Sequence, residues 1–112
     1  MLGKFNANNY VDMGNNPTGG NVEGVGLRID WQDGPLGRGE DRQEPNGAFV
    51  ETVIDAAKQR IEWFQSAGGA RFSCRENALA ITKLEEALHW LNHRTAKREA
   101  KGIEGTHEVG WW

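Results

Sequence analysis

The fold is set mainly by residues 73–101, SCRENALAITKLEEALHWLNHRTAKREAK, in which apolar side chains recur every three or four positions. This period predicts a long amphipathic helix. The spacing Ser73-x-x-Glu76 predicts a capping box at its start, and Gly102 stops it after a basic last turn. The predicted core-facing stripe consists of Ala78, Ile81, Leu84, Leu88 and Leu91.

A second amphipathic segment precedes this helix and covers residues 47–66, GAFVETVIDAAKQRIEWFQS. Asn46 is a favourable N-cap residue, and Gly68-Gly69 stops the helix. Two amphipathic helices joined by a short glycine-containing link predict an antiparallel helical hairpin. The first helix carries two apolar stripes, so we expect it to contact two neighbours.

The N-terminal half predicts a small β element. Residues 1–21 are rich in Asn and Gly and predict a flexible arm, whereas the alternation of apolar and polar residues over 22–32 predicts a half-buried strand. A long polar loop over 33–46 and an extended tail over 102–112 complete the chain. We therefore predict one domain over residues 22–112, of the α+β class, built on the helical hairpin.

The composition restricts the function classes. A formal net charge of −3 argues against a protein that coats DNA or RNA. Five tryptophans in a 112-residue chain with 38% hydrophobic residues favour an oligomer, because a monomer of this size buries little surface. The single cysteine excludes an internal disulfide, and no apolar run reaches the length of a membrane span. We expect an intracellular protein.

No catalytic or metal-binding constellation is predicted. Glu86-x-x-His89 and the pair His89 and His93 have spacings that occur at helical metal sites, but a di-metal carboxylate site needs two such motifs. Cys74 lies at a helix start, which favours a thiolate, yet no base is positioned beside it by the sequence. Residues 34–41, GPLGRGED, lack the G-K-[ST] of a phosphate-binding P-loop. We expect neither an enzyme nor a cofactor.

Three groups of residues suit a phosphorylated ligand. Arg38 and Arg42 lie in the polar loop, either solvated or able to close over an anion. Phe72, Arg75 and Asn77 combine a stacking ring, a guanidinium and an amide at a helix start, which favours anions. The third group is one basic face of the second helix, either solvated or phosphate-binding. This face consists of Arg94, Lys97, Arg98 and Lys101.

The chain also carries five longer motifs in order, which are WQDGPLG (31–37), PNGAFVE (45–51), CRENALAIT (74–82), LEEALHWL (84–91) and GIEGTHEV (102–109). With these motifs the chain resembles a phage-encoded family, the Thoeris anti-defence sponges, which share a helical-hairpin domain with the anti-CBASS sponges. The resemblance covers residues 22–109.

The resemblance implies a protein of the host bacterial cytoplasm that binds cyclic nucleotide immune messengers without cleaving them, and so blocks Thoeris and CBASS effectors. The implied ligands are cyclic ADP-ribose isomers and cyclic di- and trinucleotides, and the implied assembly is dimer-based and hexameric. Two other classes stay open, a small metal-dependent nucleotide hydrolase and a protein-binding hairpin. The pocket positions implied by the motifs are Trp31, Gln32, Asp33, Arg42, Arg75, Asn77, Arg94, Thr106 and His107.

Overall fold

The computed structural model describes residues 1–108 and divides the chain into two compact units. The first unit comprises Met1–Phe49 and the described residues from Arg98 onward, and the second, the hairpin unit, comprises Val50–Lys97. A three-stranded antiparallel sheet and two long helices confirm the predicted α+β class. The end of the predicted tail, residues 109–112, lies outside the described residues.

The sheet belongs to the first unit and has the order β1-β2-β3. Its strands are β1 (Phe5–Val11), β2 (Pro17–Gly24) and β3 (Leu27–Asp30). Two strands thus occupy most of the segment for which the composition predicts a flexible arm. Asp12 closes the turn between them, because its Oδ1 accepts backbone hydrogen bonds from Gly14 (2.8 Å) and Asn16 (3.0 Å).

The predicted single strand over 22–32 is divided between β2 and β3. The chain reverses at Val25-Gly26, where Gly26 has a φ of +74°, a conformation that glycine adopts without strain. After β3, Trp31 forms an isolated parallel bridge with Ala48. This bridge brings the two ends of the long polar loop together.

The two helices are α1 (Val50–Ser66) and α2 (Arg75–Ala100), and contacts at both ends show that they run antiparallel. At one end Arg94 Nη2 lies 3.3 Å from Glu51 Oε1. At the other, the backbone N–H of Cys74 donates to Gln65 Oε1 at 2.9 Å. The predicted hairpin is therefore confirmed for the hairpin unit.

Both helices start later than predicted because the expected caps have other roles. Asn46 is not an N-cap of α1, since its side chain bonds the backbone of Asp33 instead. The capping box at Ser73 is also wrong, because α2 begins only at Arg75. Cys74 takes the position before the helix, and its Sγ accepts the backbone N–H of Asn77 at 3.4 Å.

The described residues bury few side chains. Ile103, with 9% of its surface exposed, is the one buried apolar residue among residues 1–108. Within the predicted stripe of α2, Ile81, Leu84, Leu88 and Leu91 are half-buried and Ala78 is exposed. Several large apolar side chains of the hairpin unit are also exposed. These are Val50, Trp63, Phe64, Phe72, Leu79 and Trp90. Across residues 1–108, no helix has the length and apolar character needed to span a bilayer.

Replacing Gln65 with Ala should destabilise the hairpin unit. The Gln65 amide accepts from Cys74 N at 2.9 Å and donates to Cys74 O at 3.2 Å, so it fixes the start of α2 against the end of α1. Losing both bonds should lower the free energy of unfolding by about 1–3 kcal/mol. Gln59→Ala, an exposed change on the same helix, should be nearly neutral in the same urea unfolding experiment. Equal stability of the two variants would contradict this role.

Candidate functional site

Most of the predicted ligand-binding residues fall into three local groups, two in the first unit and one in the hairpin unit. The first group lies at the base of the polar loop. Gln32 Oε1 accepts the backbone N–H of Asn46 at 2.8 Å, and Asn46 Oδ1 accepts that of Asp33 at 2.8 Å. Trp31 is half-buried beside them. Gln32 and the Asp33 backbone thus hold the loop ends, while the Asp33 side chain is exposed.

The second group surrounds a tight turn over residues 103–106, the Glu104 turn. Arg42 forms a two-bond fork with the Glu104 carboxylate, with Nη1–Oε2 at 2.8 Å and Nη2–Oε1 at 3.1 Å. Arg38 Nη1 donates to the Glu104 backbone oxygen at 3.0 Å. Gly37 N donates to Gly105 O at 2.8 Å. The polar loop is therefore fastened to the C-terminal segment in this structure.

Arg98 supports the same turn from the end of α2. Only 7% of its surface is exposed, and Nη2 donates to the backbone oxygens of Ile103 (3.3 Å) and Thr106 (3.0 Å). Thr106 Oγ1 donates to Ile103 O at 2.5 Å, which closes the turn. Four predicted ligand residues, from two segments that are far apart in sequence, thus meet around the Glu104 turn. They are Arg38, Arg42, Arg98 and Thr106.

The charges of this group act on one another. The hydrogen bond from Arg42 holds the pKa of Glu104 below its usual range, partial burial opposes this shift, and the charges of Arg42, Arg38 and Arg98 add to it. The same bond raises the pKa of Arg42. At neutral pH both partners are therefore ionised, and the fork is a charge-assisted contact.

The fork should weaken in acid. Because the pKa of Glu104 is lower in the folded than in the unfolded chain, its stabilising contribution is present above the ordinary pKa of Glu, about 4.3. That contribution is lost as the pH falls through the lowered pKa. A carbon-13 titration of the Glu104 carboxyl group should show the depressed pKa, and Arg42→Gln should return it towards the ordinary value. An unchanged pKa in that variant would contradict the assignment to Arg42.

The third group lies in the hairpin unit, where α2 begins. Arg71 lies over the ring of Phe72, with Cζ 4.8 Å from the ring centroid. Arg75, the first residue of α2, is exposed, and Asn77 is half-buried two residues further on. This set presents a ring, a guanidinium and an amide close together in sequence, and its role in ligand binding stays a prediction. Arg94 lies near the other end of α2 and is paired with Glu51.

The three histidines considered from the sequence lie outside these groups. His107 is exposed beyond the Glu104 turn, and its charge contributes to the lowered pKa of Asp12 after the hydrogen bonds from Asn16 and Gly14. The exposed rings of His89 and His93 are stacked with centroids 6.5 Å apart. Within residues 1–108 no group of three or more metal-binding side chains is present.

The sequence does not reveal the two glutamates, Glu104 and Glu51, that pair with the predicted arginines. Glu104 stands between Ile103 and Gly105 in the GIEGTHEV motif, where the two flanking glycines are typical of a tight turn, and this is the one local signal that could have found it. Glu51 reads from sequence as a favourable charge near the start of a helix, whereas it pairs with Arg94. No spacing rule connects such pairs, because 62 and 43 residues separate their members.

Comparisons with known proteins agree with the resemblance carried by the motifs. The protein named Thoeris anti-defense 1, from Bacillus phage SBSphiJ7, is 49% identical over 80 residues, which cover 71% of this chain and 51% of that protein. The chain thus spans about half the length of this relative. The family model of the Acb2/Tad1 hairpin domain matches residues 23–96. This match includes more than half of the 112 residues, and the chain therefore belongs to the Acb2/Tad1 hairpin-domain family.

Proposed function

We propose that this chain is a phage anti-defence protein that binds and sequesters cyclic nucleotide immune messengers without cleaving them. The observation that carries the proposal is the 49% identity to a phage protein named for Thoeris anti-defence, within a family that the chain shares. The expected place of action is the cytoplasm of the infected bacterium. The expected effect is that Thoeris effectors, and CBASS effectors where the messenger is a cyclic oligonucleotide, are not activated.

The two arginine-containing groups support a phosphorylated, base-containing ligand. Arg38 and Arg42 present guanidiniums on a loop, a residue type that pairs with phosphate oxygens through two parallel hydrogen bonds. Phe72, which is exposed, offers a ring for stacking, and Arg75 lies close by in sequence. Cyclic ADP-ribose isomers contain both a pyrophosphate and a base, so they match this combination. Cyclic di- and trinucleotides also combine phosphates with bases.

The decisive experiment is a calorimetric titration with cyclic ADP-ribose isomers and with cyclic oligonucleotides, in the presence and absence of magnesium. The complex is then heated to denature the protein, and the released nucleotide is identified by chromatography. Tight binding followed by release of the intact nucleotide is expected. A cleaved product would favour the metal-dependent hydrolase, and no heat with any of these nucleotides would favour a hairpin that binds protein.

We further propose that the chain acts as a dimer-based oligomer, with a hexamer as the expected form. The exposed aromatic side chains of the hairpin unit support this, because aromatic residues are enriched in subunit interfaces. Trp90 is 67% exposed, and Trp63 and Phe64 lie under the guanidinium of Arg60 at 4.8 and 4.9 Å. Size-exclusion chromatography with light scattering should give a multimer. A monomer at micromolar concentration would contradict the proposal.

A further inference from the structure

The contact between Arg42 and Glu104 uses the part of the guanidinium that a phosphate would need. Both terminal nitrogens of Arg42 bond the carboxylate, at 2.8 and 3.1 Å, and Nη1 also donates to Gly37 O at 3.3 Å. A phosphate that binds Arg42 end-on, through both terminal nitrogens, requires the same edge. The two anions therefore cannot occupy this edge together.

Backbone hydrogen bonds hold Glu104 in place in addition to its ion pair with Arg42. Its backbone oxygen accepts from Arg38, and the backbone oxygen of the adjacent Gly105 accepts from Gly37. Only 22% of the Glu104 side chain is exposed, against 42% for that of Arg42. The carboxylate is therefore a fixed group on a short turn, whereas the guanidinium stands on a long side chain that can swing away from it.

We propose that Glu104 is a competing anion inside the proposed site, whose carboxylate occupies one anion-binding edge of Arg42 until a phosphorylated ligand displaces it. The inference rests on the proposed function, because it takes Arg42 as a contact of that ligand. Binding at Arg42 is then an exchange of one anion for another. A ligand with two linked phosphates can compensate for the lost carboxylate, whereas a neutral nucleoside or a weak monoanion cannot. Glu104 thereby lowers, by a common factor, the affinity of every ligand that needs this edge of Arg42.

The test uses inorganic pyrophosphate as the probe and compares the full-length wild type with Glu104→Gln and Glu108→Gln. The Glu104→Gln change keeps the shape of the side chain but removes the competing charge, so pyrophosphate should bind about three- to tenfold more tightly, as expected when an exposed ion pair no longer limits the competent state. Glu108→Gln removes the same charge from the same segment and should leave the affinity unchanged. Equal or weaker binding to Glu104→Gln than to Glu108→Gln would overturn the proposal.

A second measurement needs only the wild type and therefore does not depend on the folding of a variant. Saturating pyrophosphate should raise the pKa of Glu104 towards the ordinary range, because Arg42 has left it. Titration of cyclic ADP-ribose in parallel separates the two proposals. If that nucleotide binds while pyrophosphate affinity does not respond to Glu104→Gln, sequestration stands and the role of Glu104 falls. If the pyrophosphate affinity rises with Glu104→Gln while no cyclic nucleotide binds, the role of Glu104 at Arg42 stands and sequestration of cyclic nucleotides falls.

Discussion

Replacing Gly105 with Ala is expected to detach the polar loop from the C-terminal segment and to destabilise the first unit strongly. Gly105 has a φ of +79°, and a Cβ there would collide with the backbone oxygen of Gly37 and lie 3.2 Å from Arg42 Nη1. The left-handed conformation costs an alanine about 1–2 kcal/mol. Losing the Gly37–Gly105 bond and loosening the fork adds about 1–3 kcal/mol.

Gly102→Ala is the matched control for this prediction. Gly102 has a similar φ of +72°, but a Cβ there would have no neighbour within 4 Å. The Gly102→Ala variant should therefore lose only the free energy that the backbone strain costs, about 1–2 kcal/mol. Urea unfolding gives the total loss for each variant, and amide exchange at Gly37, whose N–H donates to Gly105 O, gives the local opening. Comparable exchange at Gly37 in the two variants would show that the collision does not detach the loop.

The helical hairpin could be predicted from sequence because its signal is local. Apolar side chains repeat at helical spacing over two long segments, and the glycine-containing link between them takes positive φ values at Gly68 and Gly69. The helix starts differ from the prediction by two or three residues, and α2 ends one residue earlier than predicted. Asn46 and Cys74 show why, since each is engaged by a side chain or backbone from another segment, and local capping rules do not include such partners.

The N-terminal strands could not be predicted because their residues have low strand propensity. The sheet forms there through close backbone approach, which only glycine allows. At Gly20, with a φ of +151°, a Cβ would collide with the backbone oxygen of Asn8. Asn8 also bonds Asn21 across the strands at 3.1 Å. The asparagine and glycine residues whose abundance predicts a flexible arm thus make the contacts that pair β1 with β2.

The arginine residues of the candidate site could be identified from the sequence, but the glutamate that pairs with them could not. Arg38 and Arg42 can be identified from sequence because guanidiniums on a long glycine-rich loop suggest a phosphate by their type alone. Their engagement with the Glu104 turn depends on two segments far apart in sequence, which the fold brings together. The structure fastens this loop to the Glu104 turn, whereas the sequence left open a solvated loop and a loop that closes over an anion.

The second large effect is expected for the double variant Arg38→Gln and Arg42→Gln. If the first unit supplies the phosphate contacts, cyclic ADP-ribose should bind about a hundredfold more weakly, because each charge-assisted contact is worth about 1.5–3 kcal/mol and loss of the Glu104 competitor offsets part of it. Arg75→Ala tests the hairpin unit in the same assay. A large loss with Arg75→Ala and none with the double variant would assign the ligand to the hairpin unit instead.

The rates of ligand binding distinguish arginines that contact the bound ligand from arginines that only attract it from a distance. Arginines that hold the ligand after encounter should change mainly the dissociation rate, whereas steering changes the association rate and its dependence on salt. Arg28→Gln is the matched control, because Arg28 lies in the same unit and is already paired with Glu23 and Asp30 at the surface. We expect faster dissociation for the double variant and little change for Arg28→Gln. A slower association rate alone, abolished by salt, would mean that Arg38 and Arg42 attract the ligand without touching it.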